Sequence, residues 1–224
     1  MFQGFTQKTG EFFWELSFNN ERPWFQAHKE EYDNCIGLPF KALALDTQAA
    51  FEALVPGFDT QLHISRIYRD ARRLFGRGPY KDHLWFSLKS AELQHEGPVF
   101  WFEIDAVHYA YGLGFYSMTT EQMQLFRNSL DANPARFMGL ARPLDKLGYI
   151  VDGEAYKRPK KLHDDALLDR WYNRKCVGIE KRFDLGGDAF SDRLPQIMAE
   201  EFKALMPLFD YFMEIYRQSP GERT

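Results

Sequence analysis

The sequence predicts an α+β domain in which an antiparallel sheet of four or more strands is covered by N- and C-terminal helices. Apolar residues recur at helical spacing near both ends of the chain, while the middle alternates apolar and polar residues with the period expected of strands. The segments between these alternating stretches are short, which favours antiparallel pairing, because parallel strands need a long crossover. The aromatic face of such a sheet must be covered, and the flanking helices are available to cover it.

The length and the composition indicate a globular chain. It has 224 residues, of which 17% are aromatic. A chain of this size buries roughly 70% of its unfolded surface, so we expect it to fold without a metal or a disulfide. No repeat, low-complexity segment or linker is apparent. We therefore expect residues 1–219 to form a single domain and residues 220–224 to be a frayed tail.

Charge and cysteine content limit the function classes. The net charge of −4 is mild, so any binding of a polyanion would be local. Cys35 and Cys176 lie far apart without a Cys-x-x-Cys pattern, which is typical of reduced cysteines in a cytosolic protein. No signal peptide and no bilayer-length apolar run are visible. These features predict a soluble, cytoplasmic protein without membrane contact, and they do not indicate its oligomeric state.

The N-terminal part of the chain has helical spacing. Apolar residues predict a short helix at residues 9–18 and a longer one at residues 40–54. Asn20 is predicted to be the N-cap of a helix between them, with Pro23 tolerated in its first turn. The Val-Pro-Gly sequence at residues 55–57 is expected to end the helical region.

The middle of the chain has strand patterns. Residues 62–68 are rich in β-forming side chains, and residues 84–88, 100–104 and 109–115 alternate between two faces. Because the connections are short, we expect residues 84–86 and residues 100–104 to be neighbouring antiparallel strands.

Helical spacing returns after the sheet. Residues 119–130 are predicted to be a helix capped by one of the two threonines at its start. A further helix is expected to open at Asn133-Pro134 and to run to about residue 147, with Pro143 inside it. Asp152-Gly153 is a strong turn signal, so residues 149–158 are predicted to hold two short strands.

The C-terminal part adds a helix at residues 164–172, a strand at residues 176–183 and one long helix. An apolar stripe at steps of four and three residues predicts the long helix, with a kink at Pro207. The stripe consists of Met198, Phe202, Leu205, Phe209, Phe212 and Tyr216.

Familiar catalytic motifs are missing from the sequence. Gly112-Leu113-Gly114 lacks the third glycine and the helix of a dinucleotide loop, and the two glycines more plausibly let a backbone or a ligand approach the sheet closely. The sequence has no His-Glu-x-x-His, P-loop or Gly-x-Ser-x-Gly motif, and its six histidines are dispersed. Spacing alone leaves a Cys–His nucleophile pair open, but nothing singles out either cysteine. We expect no cofactor and no metal.

The segment of residues 66–81, called here the basic segment, differs from the rest of the chain. It has five arginines and one lysine against a single aspartate, at a place where strand patterns meet a Gly/Pro-rich loop. Guanidinium groups bind carboxylates and phosphates through paired donors. The candidate ligand-binding residues are Arg66, Tyr68, Arg69, Arg72, Tyr80 and Lys81, with Trp24 and Asn20 as further pocket candidates. Asp70 is a weak candidate for a catalytic acid or base.

Several interpretations of these residues remain open. The arginines are either a site for a small anionic molecule, a structural ion-pair network with Asp70, or a docking surface for a partner. A second basic cluster, residues 156–161, is either a solvated turn or the far wall of the same site. An alternative function is binding of nucleic acid or an acidic protein, using both clusters with Tyr68, Tyr80 and Trp24 for stacking. Neither enzymatic activity nor a reaction type is indicated.

Several motifs resemble those of one family. They are Phe2-x-Gly4-Phe5, Asn19-Asn20-x-x-x-Trp24-Phe25, Arg66-Ile67-Tyr68-Arg69-Asp70-x-Arg72, Pro79-Tyr80-Lys81, Arg127 and Tyr156-Lys157-Arg158-Pro159. Through them, nearly the whole chain resembles the bacterial and fungal family called domain of unknown function 2461. The resemblance implies a shared fold without an established activity. Where relatives usually read Phe-Ser-Lys-Asp-Lys, this chain has Arg73-Leu74-Phe75-Gly76-Arg77, so it lacks a carboxylate that metal binding or acid catalysis would need there.

Overall fold

The computed structural model describes residues 1–70, 72 and 77–219. The strands form one six-stranded antiparallel sheet, and the order of the strands is β1-β2-β3-β4-β6-β5, numbered along the chain. The predicted α+β class and the predicted antiparallel sheet of four or more strands are both confirmed.

The chain divides into two compact units, which are described separately. The first unit contains Met1–Leu88, Trp101–Tyr111 and Arg182–Lys203. The second unit contains Lys89–Phe100, Gly112–Lys181 and the described residues from Ala204 onward. The single domain expected for residues 1–219 stays a prediction, and the tail expected at residues 220–224 lies outside the described residues.

The first unit begins with helices. These are α1 (Gln7–Phe18), α2 (Arg22–Ala27), α3 (Lys29–Tyr32), a π-helical turn (Asp33–Gly37) and α4 (Leu38–Leu54). The prediction that Asn20 caps the second helix is wrong, because Glu21 occupies the N-cap position and the Asn20 side chain hydrogen-bonds to Tyr80 instead.

The strands of the sheet's first half are β1 (Thr60–Ile64), β2 (His83–Ser90), β3 (Pro98–Asp105) and β4 (His108–Phe115). Buried residues alternate along β2 and β3, as their sequences predict. β1 is shorter than the predicted strand and ends at Ile64. In the first unit, α4 covers the sheet through Phe40, whose ring centroid lies 5.8 Å from that of Phe86 and 6.1 Å from that of Phe102.

The second unit contains α5 (Thr120–Ala132), α6 (Pro134–Lys146), β5 (Ile150–Asp152) and α7 (Ala166–Tyr172). Thr119 and Asn133 cap α5 and α6 through their side chains, and Pro143 remains inside α6, as predicted. β5 pairs antiparallel with β6 (Gly178–Asp184). Two short strands were predicted near Asp152, but the second is wrong, since only an isolated bridge between Ala155 and Arg174 forms there.

The C-terminal region has two helices where one kinked helix was predicted. After a short 3-10 turn at Gly187–Phe190, α8 covers Leu194–Ala204 and α9 covers Met206–Gln218. The kink prediction is wrong, because Pro207 lies in the first turn of a new helix, where its missing N–H leaves no hydrogen bond unmade. Four side chains of the predicted apolar stripe, Phe202, Leu205, Phe209 and Phe212, are buried, as expected of such a stripe.

The glycines of β4 have a packing role. A Cβ atom at Gly112 would lie 2.0 Å from the carbonyl oxygen of Ile179, and one at Gly114 would lie 2.6 Å from the Cα atom of Gly178. These glycines therefore allow the backbone of β6 to pack closely against β4.

The two cysteines are both unpaired thiols. Burial raises the pKa of the Cys35 thiol to about 11 and that of the Cys176 thiol to about 11. Both therefore stay protonated at neutral pH, which does not favour a nucleophilic role. No helix within the described ranges is long and apolar enough to cross a bilayer.

Candidate functional site

The two ends of the basic segment are held together by a short antiparallel bridge between Tyr68 and Tyr80. The backbone N–H of Arg69 donates to the carbonyl oxygen of Pro79 at 2.7 Å, and the N–H of Lys81 donates to the carbonyl oxygen of Ile67 at 2.7 Å. The bridge therefore fixes the backbone positions from which the side chains of Arg69 and Lys81 extend.

Tyr80 anchors this bridge in the core of the first unit. Its side chain is fully buried, and its ring stacks on Phe25 of α2 with centroids 4.0 Å apart. The ring of Tyr68 lies 5.2 Å from that of Tyr80, but Tyr68 is half exposed. Of the two tyrosines proposed from sequence as ligand-binding residues, only Tyr68 presents its ring to solvent.

Asn20 hydrogen-bonds to the backbone of Tyr80 as a neighbouring strand would. Asn20, Tyr80 and Arg69 are together called here the anchor. Its Oδ1 accepts the backbone N–H of Tyr80 at 2.9 Å, and its Nδ2 donates to the carbonyl oxygen of Tyr80 at 3.0 Å. A Cβ atom at Gly78 would lie 2.3 Å from the Asn20 carboxamide, so glycine is needed at that position. The carboxamide is thus engaged with the backbone and is not directed into a pocket.

Arg69 points inward and binds groups of the protein. Its Nε donates to the Tyr80 carbonyl oxygen at 2.9 Å, and its Nη2 lies 3.2 Å from Oδ1 of Asp82. Only 12% of its side chain is exposed. Two charge-assisted hydrogen bonds hold the guanidinium in one orientation, so Arg69 stabilises the bridge.

Lys81 lies beside Arg69 and is half-buried. Its ammonium nitrogen is 6.0 Å from the ring centroid of Trp85, and no carboxylate pairs with it in the part of the chain that the structure describes. Burial lowers the pKa of Lys81, and the positive charge of Arg69 lowers it further. Lys81 is therefore a partly desolvated cation next to another cation.

An aspartate and a histidine follow Lys81 directly. Oδ1 of Asp82 lies 2.9 Å from Nδ1 of His83, and Nε2 of His83 lies 4.0 Å from Oε2 of Glu103 on β3. Burial alone would raise the pKa of Asp82, but the His83 hydrogen bond and the nearby Arg69 charge lower it below its usual value. Asp82 is thus the carboxylate that joins Arg69 to His83.

The other arginines of the basic segment that the structure describes lie at exposed positions. Arg72 is 89% exposed and binds both carboxylate oxygens of Asp70. Asp70, the candidate acid or base, therefore serves here to orient an arginine. Arg66 and Arg77 are exposed, and neither has a carboxylate partner among the residues described. Arg66 precedes Ile67, whose carbonyl oxygen accepts the Lys81 N–H.

Trp24 belongs to the aromatic packing around the anchor. Its ring stacks on His28 with centroids 4.2 Å apart and lies 5.5 Å from Phe12 of α1. It is only partly buried, so one part of the indole remains accessible. The structure shows no contact that brings Trp24 to Lys81.

The second basic cluster belongs to the second unit. Lys161 pairs with Asp131, and the ammonium of Lys160 lies 4.8 Å from the ring centroid of Tyr156. The guanidinium of the buried Arg127 lies 5.5 Å from the same ring. Much of this cluster is thus engaged locally, while its role as a wall of the anion site stays a prediction.

Sequence reasoning did not single out Asp82, His83 or Glu103. The available signal was position: Asp82-His83 directly extends the Pro79-Tyr80-Lys81 motif, and Glu103 lies at a polar position of an alternating strand. No group of metal-binding side chains large enough to hold an ion is found within the described residues. The arrangement places Lys81, which has no carboxylate partner among the described residues, two positions before His83, whose ring lies between two carboxylates.

A comparison with models of protein families finds a match over most of the chain. A family model described as a conserved hypothetical protein (DUF2461) matches residues 8–211. The chain belongs to this family. The search of curated proteins returned no match. In this DUF2461 member, the motif residues Asn20, Tyr80 and Arg69 have a structural role, because they hold the bridge together.

Proposed function

We propose that this DUF2461 protein is a cytosolic protein that binds a small phosphate- or carboxylate-bearing molecule at the basic segment. Lys81 contacts the anion, and the exposed Arg66 and Tyr68 are further candidate donors. Asn20, Tyr80 and Arg69 position these groups and do not touch the ligand.

The observation that carries the proposal is the environment of Lys81. A half-buried ammonium beside a second cation is unfavourable unless a negative charge is supplied, because burial penalises the charged form. The nearest carboxylate, Asp82, already pairs with Arg69 and His83. An anionic ligand would supply the missing charge in a site whose donors are already held in place.

A small anionic molecule fits this site better than a nucleic acid does. A nucleic-acid surface needs several free cations in a row, since each phosphate contact contributes separately to affinity. Here Arg69 is engaged with Tyr80 and Asp82, Arg72 with Asp70, and Lys161 with Asp131. Binding of nucleic acid or an acidic protein remains the alternative function.

Thermal unfolding with and without inorganic phosphate tests the proposal. A ligand that binds only the folded state stabilises it by ~2.7 kcal/mol at 100 times its Kd, which raises the melting temperature by about 5 °C or more in a chain of this size. The shift should disappear in Lys81→Met, which keeps the length of the side chain and removes its charge.

The matched control is Arg72→Met, which removes a charge from the same segment at an exposed position. It should keep the full shift. Equal shifts in both variants, or none in the wild type with phosphate, sulfate, acetate or citrate, would refute the proposal. A shift produced only by a single-stranded oligonucleotide would favour the alternative function.

A further inference from the structure

His83 has an environment that the anion-binding proposal does not use. The ring lies between two carboxylates: Nδ1 is 2.9 Å from Asp82 and Nε2 is 4.0 Å from Glu103. Arg69 shares the Asp82 carboxylate with this ring, Lys81 lies two residues before it, and the ring of His63 on β1 lies 5.0 Å from that of Trp85.

The two ring nitrogens of His83 differ in their partners. Asp82 can only accept a hydrogen bond when it is ionised, so Nδ1 carries the hydrogen in the neutral ring. Nε2 has no hydrogen-bond partner among the described residues, since the distance to Glu103 exceeds a hydrogen bond. A second proton would therefore be added at Nε2, which lies 4.0 Å from the Glu103 carboxylate.

Lys81 and His83 are two residues apart in the chain, so their Cα atoms are at most about 7 Å apart. An anion bound at Lys81 is then close enough to His83 for the two charges to interact. At this distance, with an effective dielectric constant between those of protein and water, the attraction corresponds to roughly a three- to tenfold change in affinity.

We propose that His83 takes up a proton together with the anionic ligand, so that anion binding at this site strengthens as the pH falls. This inference rests on the proposed function, because it requires the anion to bind beside Lys81. The coupling is reciprocal: protonation favours the anion, and the anion favours protonation to the same extent.

Sulfate is the appropriate probe, since it keeps the same charge between pH 5.5 and 8, whereas phosphate does not. We expect calorimetry to give a Kd roughly three- to tenfold lower at pH 5.5 than at pH 8 for the wild type. The dependence should be lost in His83→Gln, and His63→Gln should keep it as the matched control.

A second measurement needs no variant at the site. The NMR signal of the His83 ring should titrate at a higher pH when sulfate is saturating than when it is absent. Sulfate binding with the same Kd at both pH values, or an unchanged His83 titration, would overturn this inference and leave the proposed function intact. A wild type that binds none of sulfate, phosphate, acetate and citrate at either pH would overturn both.

Discussion

Arg69 and Arg72 come from the same motif and have opposite environments. Arg69 is 12% exposed and binds the Tyr80 carbonyl oxygen and Asp82, whereas Arg72 is 89% exposed and binds only Asp70, two residues away. The first joins two segments of the chain, and the second makes a local pair on the surface. Exposed ion pairs of the second kind contribute little to stability.

The difference separates two roles within the basic segment. Asn20, Arg69 and Tyr80 form an anchor that uses its polar groups internally. Lys81 extends from that anchor and has no internal carboxylate among the described residues. A high density of arginine therefore does not mark the ligand site by itself, and the unpaired cation beside the anchor is the better indicator.

The largest effect is expected at the two tyrosines of the bridge. Tyr80→Ala removes a fully buried ring that stacks on Phe25, and it should lower the free energy of unfolding by about 3–5 kcal/mol. Tyr68→Ala removes a half-exposed ring from the same bridge and should cost less than about 1 kcal/mol. Urea unfolding of both variants measures the difference, and similar losses would contradict the assignment of Tyr80 as the anchor.

Asn20 should produce the next largest effect. Asn20→Ala leaves the N–H and the carbonyl oxygen of Tyr80 without the carboxamide, which should cost about 1–3 kcal/mol in urea unfolding. Asn19→Ala is the control, because Asn19 is exposed and its side chain donates to the carbonyl oxygen of Glu15 in α1, the helix that it directly follows. A loss at Asn19 that equals the loss at Asn20 would contradict the anchor.

The two arginines should differ by a smaller amount. Arg69→Met keeps the apolar stem and loses two hydrogen bonds, so we expect a loss of about 1–2 kcal/mol. Arg72→Met should leave the urea midpoint unchanged, since its guanidinium is exposed. If Arg72→Met is the more destabilising variant, the division of the basic segment into an anchor and a surface part is wrong.

The smallest effect is a dependence on pH. The pKa of Asp82 is lower in the folded protein than its usual value, so this carboxylate contributes stability above pH ~4 that is lost as the pH falls through the folded pKa. We therefore expect Asp82→Asn to be less sensitive to acid than the wild type between pH 5 and 3. Identical acid sensitivity in urea unfolding would show that Asp82 has no such role.

The sheet could be predicted from the sequence because its signals are local. β2 and β3 alternate buried and half-exposed residues along their whole length, and that pattern has a period that only a strand produces. The break between α8 and α9 could not be predicted, because a proline that kinks a helix and one that starts the next helix look alike in sequence.

The candidate site could be located, but the roles of its residues could not be assigned. The hydrogen bonds of Asn20 reach Tyr80, a residue 60 positions away, and no local pattern indicates such a partner. The same applies to Glu103, which is brought to His83 by the pairing of β2 with β3. Composition identified a basic segment, and tertiary contacts decided which of its cations are already paired.

On the proposed function, the unpaired cation beside the anchor binds the anion, and the arginine-rich surface does not. A crystal structure of the wild type grown with saturating phosphate distinguishes these two positions. We predict a phosphate within hydrogen-bond distance of the Lys81 ammonium, with the Arg69–Tyr80 hydrogen bond intact. A phosphate held by Arg72 or by residues 157–161, with Lys81 still over Trp85 and free of any anion, would contradict the claim.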